Sequence, residues 1–276
     1  ISYYDSKAQE IRFFAFKKTG ADTTNLTEAG HRYGNPRGLA ENGTLVVSGT
    51  NGGKSSEHTA MAKVGAGIYI AYHDANSTTL KLTYSKAPLI TGMTGANANK
   101  NGLADTAAVW ETLEVDNGAL TGQYVSMAAA GTKLYIAYHD ASNAALKLAV
   151  VETTGTVTVT SKVIVDAYQS VGYKTGITMV GDVPYISYYN NAQAGTKSSI
   201  KVAYPKNAAS IGLAGADANG AFTEDWISMY IPSIGVPNVS IPEFNRVMID
   251  NYTEAGTNKP VLAWLGDPFI EYTKMK

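Results

Sequence analysis

IAYHD at 70–74 returns unchanged at 136–140, and close variants stand at 1–5 (ISYYD), 186–190 (ISYYN) and, degenerate, at 262–267 (LAWLGD). Each copy leads through a polar turn (DSKAQ, DANST, DASNA, NNAQAGTK, GDP) into a second alternating run: EIRFFAF, LKLTYS, LKLAVV, IKVAYP and FIEYTK. Two period-2 runs joined by turn residues read as a β-hairpin. The copies are unevenly spaced, so constant strands are separated by loops of variable length. A further strand precedes each of the last four copies and carries a methionine at what reads as a matching place: Met61, Met127, Met179 and Met248. A fourth strand precedes those, near 44–49, 109–115, 161–167 and 225–231.

The repeating unit is therefore four antiparallel strands, A (with the methionine), B (the phrase), C (the LK run) and D. Four-stranded sheets repeated along one chain predict a β-propeller. The expectation is an all-β, five-bladed β-propeller spanning 1–276 as one domain, with B strands near 1–5, 68–74, 134–140, 184–190 and 260–266. The chain opens on the first B and stops after the fifth C, so the first or last blade is incomplete. It begins with Ile1, inside a strand, which reads as a piece of a larger or processed protein. The aromatic column Tyr3, Tyr72, Tyr138, Tyr188 and Trp264 is expected to fill the wedges between blades.

Composition narrows function. Lys plus Arg total 22 against 23 for Asp plus Glu, which leaves no cationic surface for nucleic acid. No run of about 18 apolar residues is present to span a bilayer. With no cysteine, disulfides, thiolate metal sites and cysteine nucleophiles are excluded. The chain is 16% charged and rich in Asn, Thr, Gly, Ala and Tyr, a composition that points to an extracellular or cell-surface location.

Residues 110–151, WETLEVDNGALTGQYVSMAAAGTKLYIAYHDASNAALKLAVV, resemble a repeat found in many exported bacterial β-propeller proteins. That repeat has a tryptophan-led strand ending in Val-Asp, a Tyr-x-Ser strand, a glycine followed by ISYYD, and an LK strand. ISYYDSKAQEIRFFAF at 1–16 is similar to its second half, and the fifth unit departs from it at LAWLGDP. The resemblance implies a propeller on secreted or surface-anchored proteins and no single activity.

At the B–C turn an acid recurs as Asp5, Asp74, Asp140 and Asp267, with Asn190 in the fourth unit. Such a side chain accepts from amides two residues on and opens the hairpin. A carboxylate ring holding Ca²⁺ is the minority reading, since no turn has the D-x-D-x-D spacing that lets one loop supply several oxygens. No cofactor is expected. His73 and His139 occupy a position that elsewhere is Tyr4, Tyr189 or Leu265, which reads as packing.

Strand order puts D–A and B–C loops on one face and A–B and C–D loops on the other. The first face is expected to bind, through His58, Tyr124, Tyr168, Tyr173, Phe244 and Arg246. The long C–D connections at 19–43, 87–107 and 206–223 are expected to dress the opposite face or dock neighbouring domains or chains of the parent protein. The functional expectation is a non-catalytic binding or adhesion module of an exported bacterial surface protein, recognising a protein or a carbohydrate. The alternative is a polysaccharide-acting glycosidase with Glu57 and Glu243 facing each other across the funnel.

Overall fold

The computed structural model describes residues 2–5, 10–13, 45–46, 55–85, 110–190, 199–217, 220–231, 247–265 and 270–274. These form five antiparallel sheets, in each of which chain order is also spatial order. The first contains β1 (Ser2–Asp5), β2 (Glu10–Phe13) and β3 (Leu45–Val46). In the second are β4 (Ser55–Val64), β5 (Gly67–Asp74), β6 (Thr79–Ser85) and β7 (Trp110–Asp116). The third holds β8 (Thr121–Ala130), β9 (Lys133–Asp140), β10 (Ala145–Glu152) and β11 (Thr158–Asp166). The fourth holds β12 (Val171–Val180), β13 (Val183–Asn190), β14 (Ser199–Pro205) and β15 (Trp226–Tyr230). The fifth consists of β16 (Val247–Glu254), β17 (Thr257–Leu265) and β18 (Ile270–Lys274). A short 3-10 turn, Ala208–Gly212, is the one helical element among the described residues. The assignment of all described strands to A, B, C and D positions agrees with the repeat.

Successive sheets stack face to face, and their contacts thin from the first strand toward the fourth: β4 lies on β8, β8 on β12 and β12 on β16. Alternation along each B strand feeds two separate cores. On β9, Leu134, Ile136 and Tyr138 pack back toward the second sheet, whereas Tyr135 and Ala137 pack forward into the fourth. Tyr72, Tyr138 and Tyr188 are all buried, as the aromatic column requires, and Tyr3 and Trp264 have side chains outside the described residues.

The tyrosines also carry polar work. Tyr138 Oη donates to Asp116 Oδ2 at 2.7 Å, and Lys147 Nζ reaches the same oxygen at 2.5 Å. One sheet further on, Tyr188 Oη donates to Asp166 Oδ2 at 2.6 Å, and Lys201 Nζ bonds that oxygen as well. The tyrosine and lysine stand directly opposite each other on paired strands, Tyr138 with Lys147 and Tyr188 with Lys201. The aspartate ends the outermost strand of the preceding sheet. Each clasp thus ties three strands of two sheets in a buried seam, where an unpaired carboxylate would be costly. At the next seam all three positions change: counting along the paired strands, the aspartate's place falls to Pro232 in the sequence, and Trp264 stands opposite Glu271.

Two expectations need correction. Met61 and Met127 do lie opposite Ile70 and Ile136, but Met179 pairs with Pro184 and Met248 with Ala263. The residues opposite Ile186 and Leu262 are Ile177 and Ile249. Register is set by backbone pairing, and the position asks for an apolar side chain rather than for methionine. The connection after β14 also leaves the face expected of it. It climbs β11, with Gly215 N donating to Ile164 O at 2.7 Å, and ends with Phe222 against Tyr168 of the opposite face. A Cβ at Gly215 would fall 2.3 Å from Val165 O, so no larger residue permits this approach.

Candidate functional site

The first strands of the second, third and fourth sheets each begin with an irregularity. Pairing slips between Ser55 and Thr59, between Thr121 and Ser126, and between Val171 and Gly176. In the last two copies a glycine at high positive φ (Gly122 +91°, Gly172 +93°) is followed two residues later by a side chain in the left-handed region (Tyr124 +51°, Lys174 +49°). Each glycine presses on the C strand of the preceding sheet, where a Cβ on Gly172 would meet Leu146 Cα at 2.9 Å. Bulges of this kind re-aim side chains. Counting from the paired isoleucines, His58, Tyr124 and Lys174 fall at one position, and Glu57, Gln123 and Tyr173 at the one before.

The bulge frees the Tyr124 carbonyl from the ladder, and Thr175 of the next sheet satisfies it with a 2.5 Å hydrogen bond from its hydroxyl. Ser126 Oγ stands 2.7 Å from the same hydroxyl. Beneath, His73 Nδ1 donates to Thr121 O at 2.6 Å and His139 Nδ1 to Val171 O at 2.8 Å, so both histidines tie one sheet to the start of the next. They are buried, as the packing reading expects, and committed to carbonyls that the structure alone reveals.

Upon this base lies a chain of rings. His58 and Tyr124 have centroids 4.6 Å apart, Tyr124 and Tyr173 5.5 Å, and Tyr173 and His139 4.2 Å, all tilted. His58, Tyr124 and Tyr173 are half-buried, so the rings remain partly accessible. Burial, reinforced by His73 and His139, lowers the His58 pKa to about 4. His58 is therefore a neutral ring at physiological pH and too weak a base for proton transfer there. Burial also lowers the His139 pKa, against the pull of its carbonyl partner and Asp140. The arrangement offers flat apolar faces and amphipathic edges suited to recognition.

Of the six binding residues expected from sequence, the structure brings three together: His58, Tyr124 and Tyr173. Tyr168 stands elsewhere, paired with Phe222 at 6.0 Å. Phe244 and Arg246 lie outside the described residues, as does Glu243, and of Glu57 only the backbone in β4 is described. The turn acids behave as expected at two positions: Asp74 Oδ1 accepts from Asn76 N at 2.9 Å, and Asp140 Oδ1 from Asn143 N at 3.1 Å. In the fourth unit Asn190 Oδ1 has no partner among the described residues. Its connection to β14, 191–198, lies outside the described residues. Sequence reading missed Asp116, Asp166, Lys147 and Lys201; the repeated Val-Asp and Leu-Lys or Ile-Lys pairs were the available signal.

No family model matches the chain, and no curated protein matches it. Among solved structures it is similar to a mutant of Aleuria aurantia lectin in complex with alpha-methyl-L-fucoside, at 12% identity over 100% of this chain and 72% of that one, with a TM-score of 0.41.

Proposed function

We propose that this protein is a carbohydrate-binding module whose five sheets are the blades of one propeller, with β4, β8, β12 and β16 nearest its axis. The observation that carries the reading is the His58–Tyr124–Tyr173 ring chain, built across three sheets on strained bulges. Backbone strain held by cross-sheet hydrogen bonds beside partly accessible rings supports a prepared binding surface. Rings with few charges between them fit the C–H face of a sugar, and His58, held neutral by burial, adds an uncharged ring to that surface. The low charge content and the repeat resemblance support an exported, surface-attached setting in a bacterium, where such a module serves adhesion.

A glycan array run with the wild type and with Tyr124→Ala and Tyr173→Ala tests this. At least one glycan should bind, and each variant should weaken it by about tenfold or more, the size of an interface hot spot. A blank array, or retention of binding in both folded variants, refutes it. Capture of a protein ligand with no glycan signal would make the surface a protein-recognition site instead.

A further inference from the structure

A second aromatic surface lies away from the ring chain, on the outer side of the seam between the third and fourth sheets. Tyr168, Phe222 and Tyr230 are 43%, 51% and 50% exposed, and Leu213 on the same connection is 49% exposed. These are four of the eight large hydrophobic side chains exposed among the described residues. Water contact on clustered rings is unfavourable, and such a patch marks an interaction site. Its placement is built: the connection after β14 climbs β11, and Gly220 crosses so close to Ala167 that a Cβ would stand 3.0 Å from the Ala167 carbonyl oxygen. Phe222 is thereby delivered beside Tyr168.

Polar groups converge at the foot of the patch. Lys201 Nζ sits 5.3 Å from the Phe222 ring centre and 5.0 Å from that of Tyr230, and its charge is already matched by Asp166. Asn190, 1% exposed, donates from Nδ2 to Tyr230 Oη across a long 3.4 Å, while its Oδ1 accepts nothing. Turning the amide exchanges the two atoms and still leaves one unpaired. A buried amide atom without a partner is unusual in a folded protein. Tyr230, half exposed, stands over that amide, with the long bond to Asn190 and the Lys201 cation at its ring.

We infer that Tyr168, Phe222 and Tyr230 form a second site, distinct from the ring chain, that binds a neutral pyranose. The ring faces take the sugar's C–H face, and Asn190 meets one of its hydroxyls. Neutrality follows from the closed Lys201–Asp166 pair, which leaves no net charge to recognise an ionic ligand. Two separate sugar sites on one chain would raise apparent affinity for multivalent glycans through effective concentration.

Saturation-transfer NMR with methyl α-D-glucoside, methyl β-D-galactoside, methyl α-D-mannoside and N-acetylglucosamine is the test, applied to the wild type, Phe222→Ala, Phe222→Leu and Tyr124→Ala. At least one sugar should receive saturation from aromatic protons. Both Phe222 variants should weaken that binding by about fivefold or more, and Tyr124→Ala should leave a Phe222-dependent component intact. Leucine keeps apolar volume while removing the ring, so its loss of binding in a protein with unchanged melting separates recognition from folding. A panel without transfer overturns the proposal, as does binding unchanged by either Phe222 variant. Binding abolished by Tyr124→Ala alone would retain the ring-chain site and refute this one, and Phe222-dependent capture of a protein without sugar transfer would also refute it.

Discussion

Replacing Lys201 with methionine removes the cation from a pair whose side chains are 2% and 0% exposed, and leaves the Asp166 carboxylate buried. Three contacts would remain to it: Tyr188 Oη at 2.6 Å, Ser228 Oγ at 3.2 Å and the Tyr168 amide at 2.9 Å. Hydrogen bonds soften the isolated charge without neutralising it, so the cost is expected near the usual value for breaking a buried pair, about 3–5 kcal/mol. In a chain of this size that lowers the melting temperature by roughly 10 °C. The partner experiment is more decisive. Asp166→Asn in the Lys201→Met background removes the uncompensated charge while keeping an acceptor for Tyr188, so the double variant should regain about 2 kcal/mol over Lys201→Met. The seam between the fourth and fifth sheets, where the sequence has Pro232 at the aspartate position and Glu271 at that of the lysine, shows that a junction can form without the clasp. Urea unfolding monitored by circular dichroism and calorimetry measures both quantities. If the two single changes add within about 0.5 kcal/mol, the clasp has no coupling and the reasoning is wrong.

Asp116 gives a pH counterpart. Burial pushes its pKa up, but hydrogen bonds from Lys147, Lys162, Tyr138 and the Gly118 amide overcome this and hold it at about 2, against 3.8 ordinarily. Its folded pKa is depressed, so its contribution is full above about pH 4 and drains as pH falls toward 2; Asp116→Asn should flatten the stability profile in that window. For His58, the imidazole proton signals should titrate with a midpoint near 4, and a midpoint above 6 would show that the ring is not enclosed as described. Gly172→Ala should destabilise by about 2 kcal/mol or more, because it forces a Cβ both into positive φ and onto Leu146; an unchanged melting temperature would contradict that close approach.

Much of the fold was legible because its elements are local. The repeated phrase, the turn residues after it and the LK run lie within some twenty residues of one another, and period-2 alternation needs no knowledge of the neighbours. Tyr72, Tyr138 and Tyr188 could be placed in the core from their column, and Asp74 and Asp140 in their turns from the amides that follow. Of the candidate site, sequence singled out His58, Tyr124 and Tyr173 as loop-borne side chains, whereas they lie on the bulged starts of β4, β8 and β12, and sequence could not show that the bulges align His58 with Tyr124 and Tyr173 with Gln123.

What the chain determined by itself is strand order, sheet membership and the apolar alternation within each sheet, since backbone pairing between adjacent segments follows from pattern and turn length. The tertiary structure alone decided what crosses the seams. Asp116 with Tyr138 and Lys147, Thr175 with the Tyr124 carbonyl, and Phe222 with Tyr168 join different sheets; the repeat marks the residues of the first contact without showing that they meet, and marks nothing of the other two. Their meeting depends on the stacking of whole sheets, which brings polar groups into a low-dielectric interface where each must find a partner.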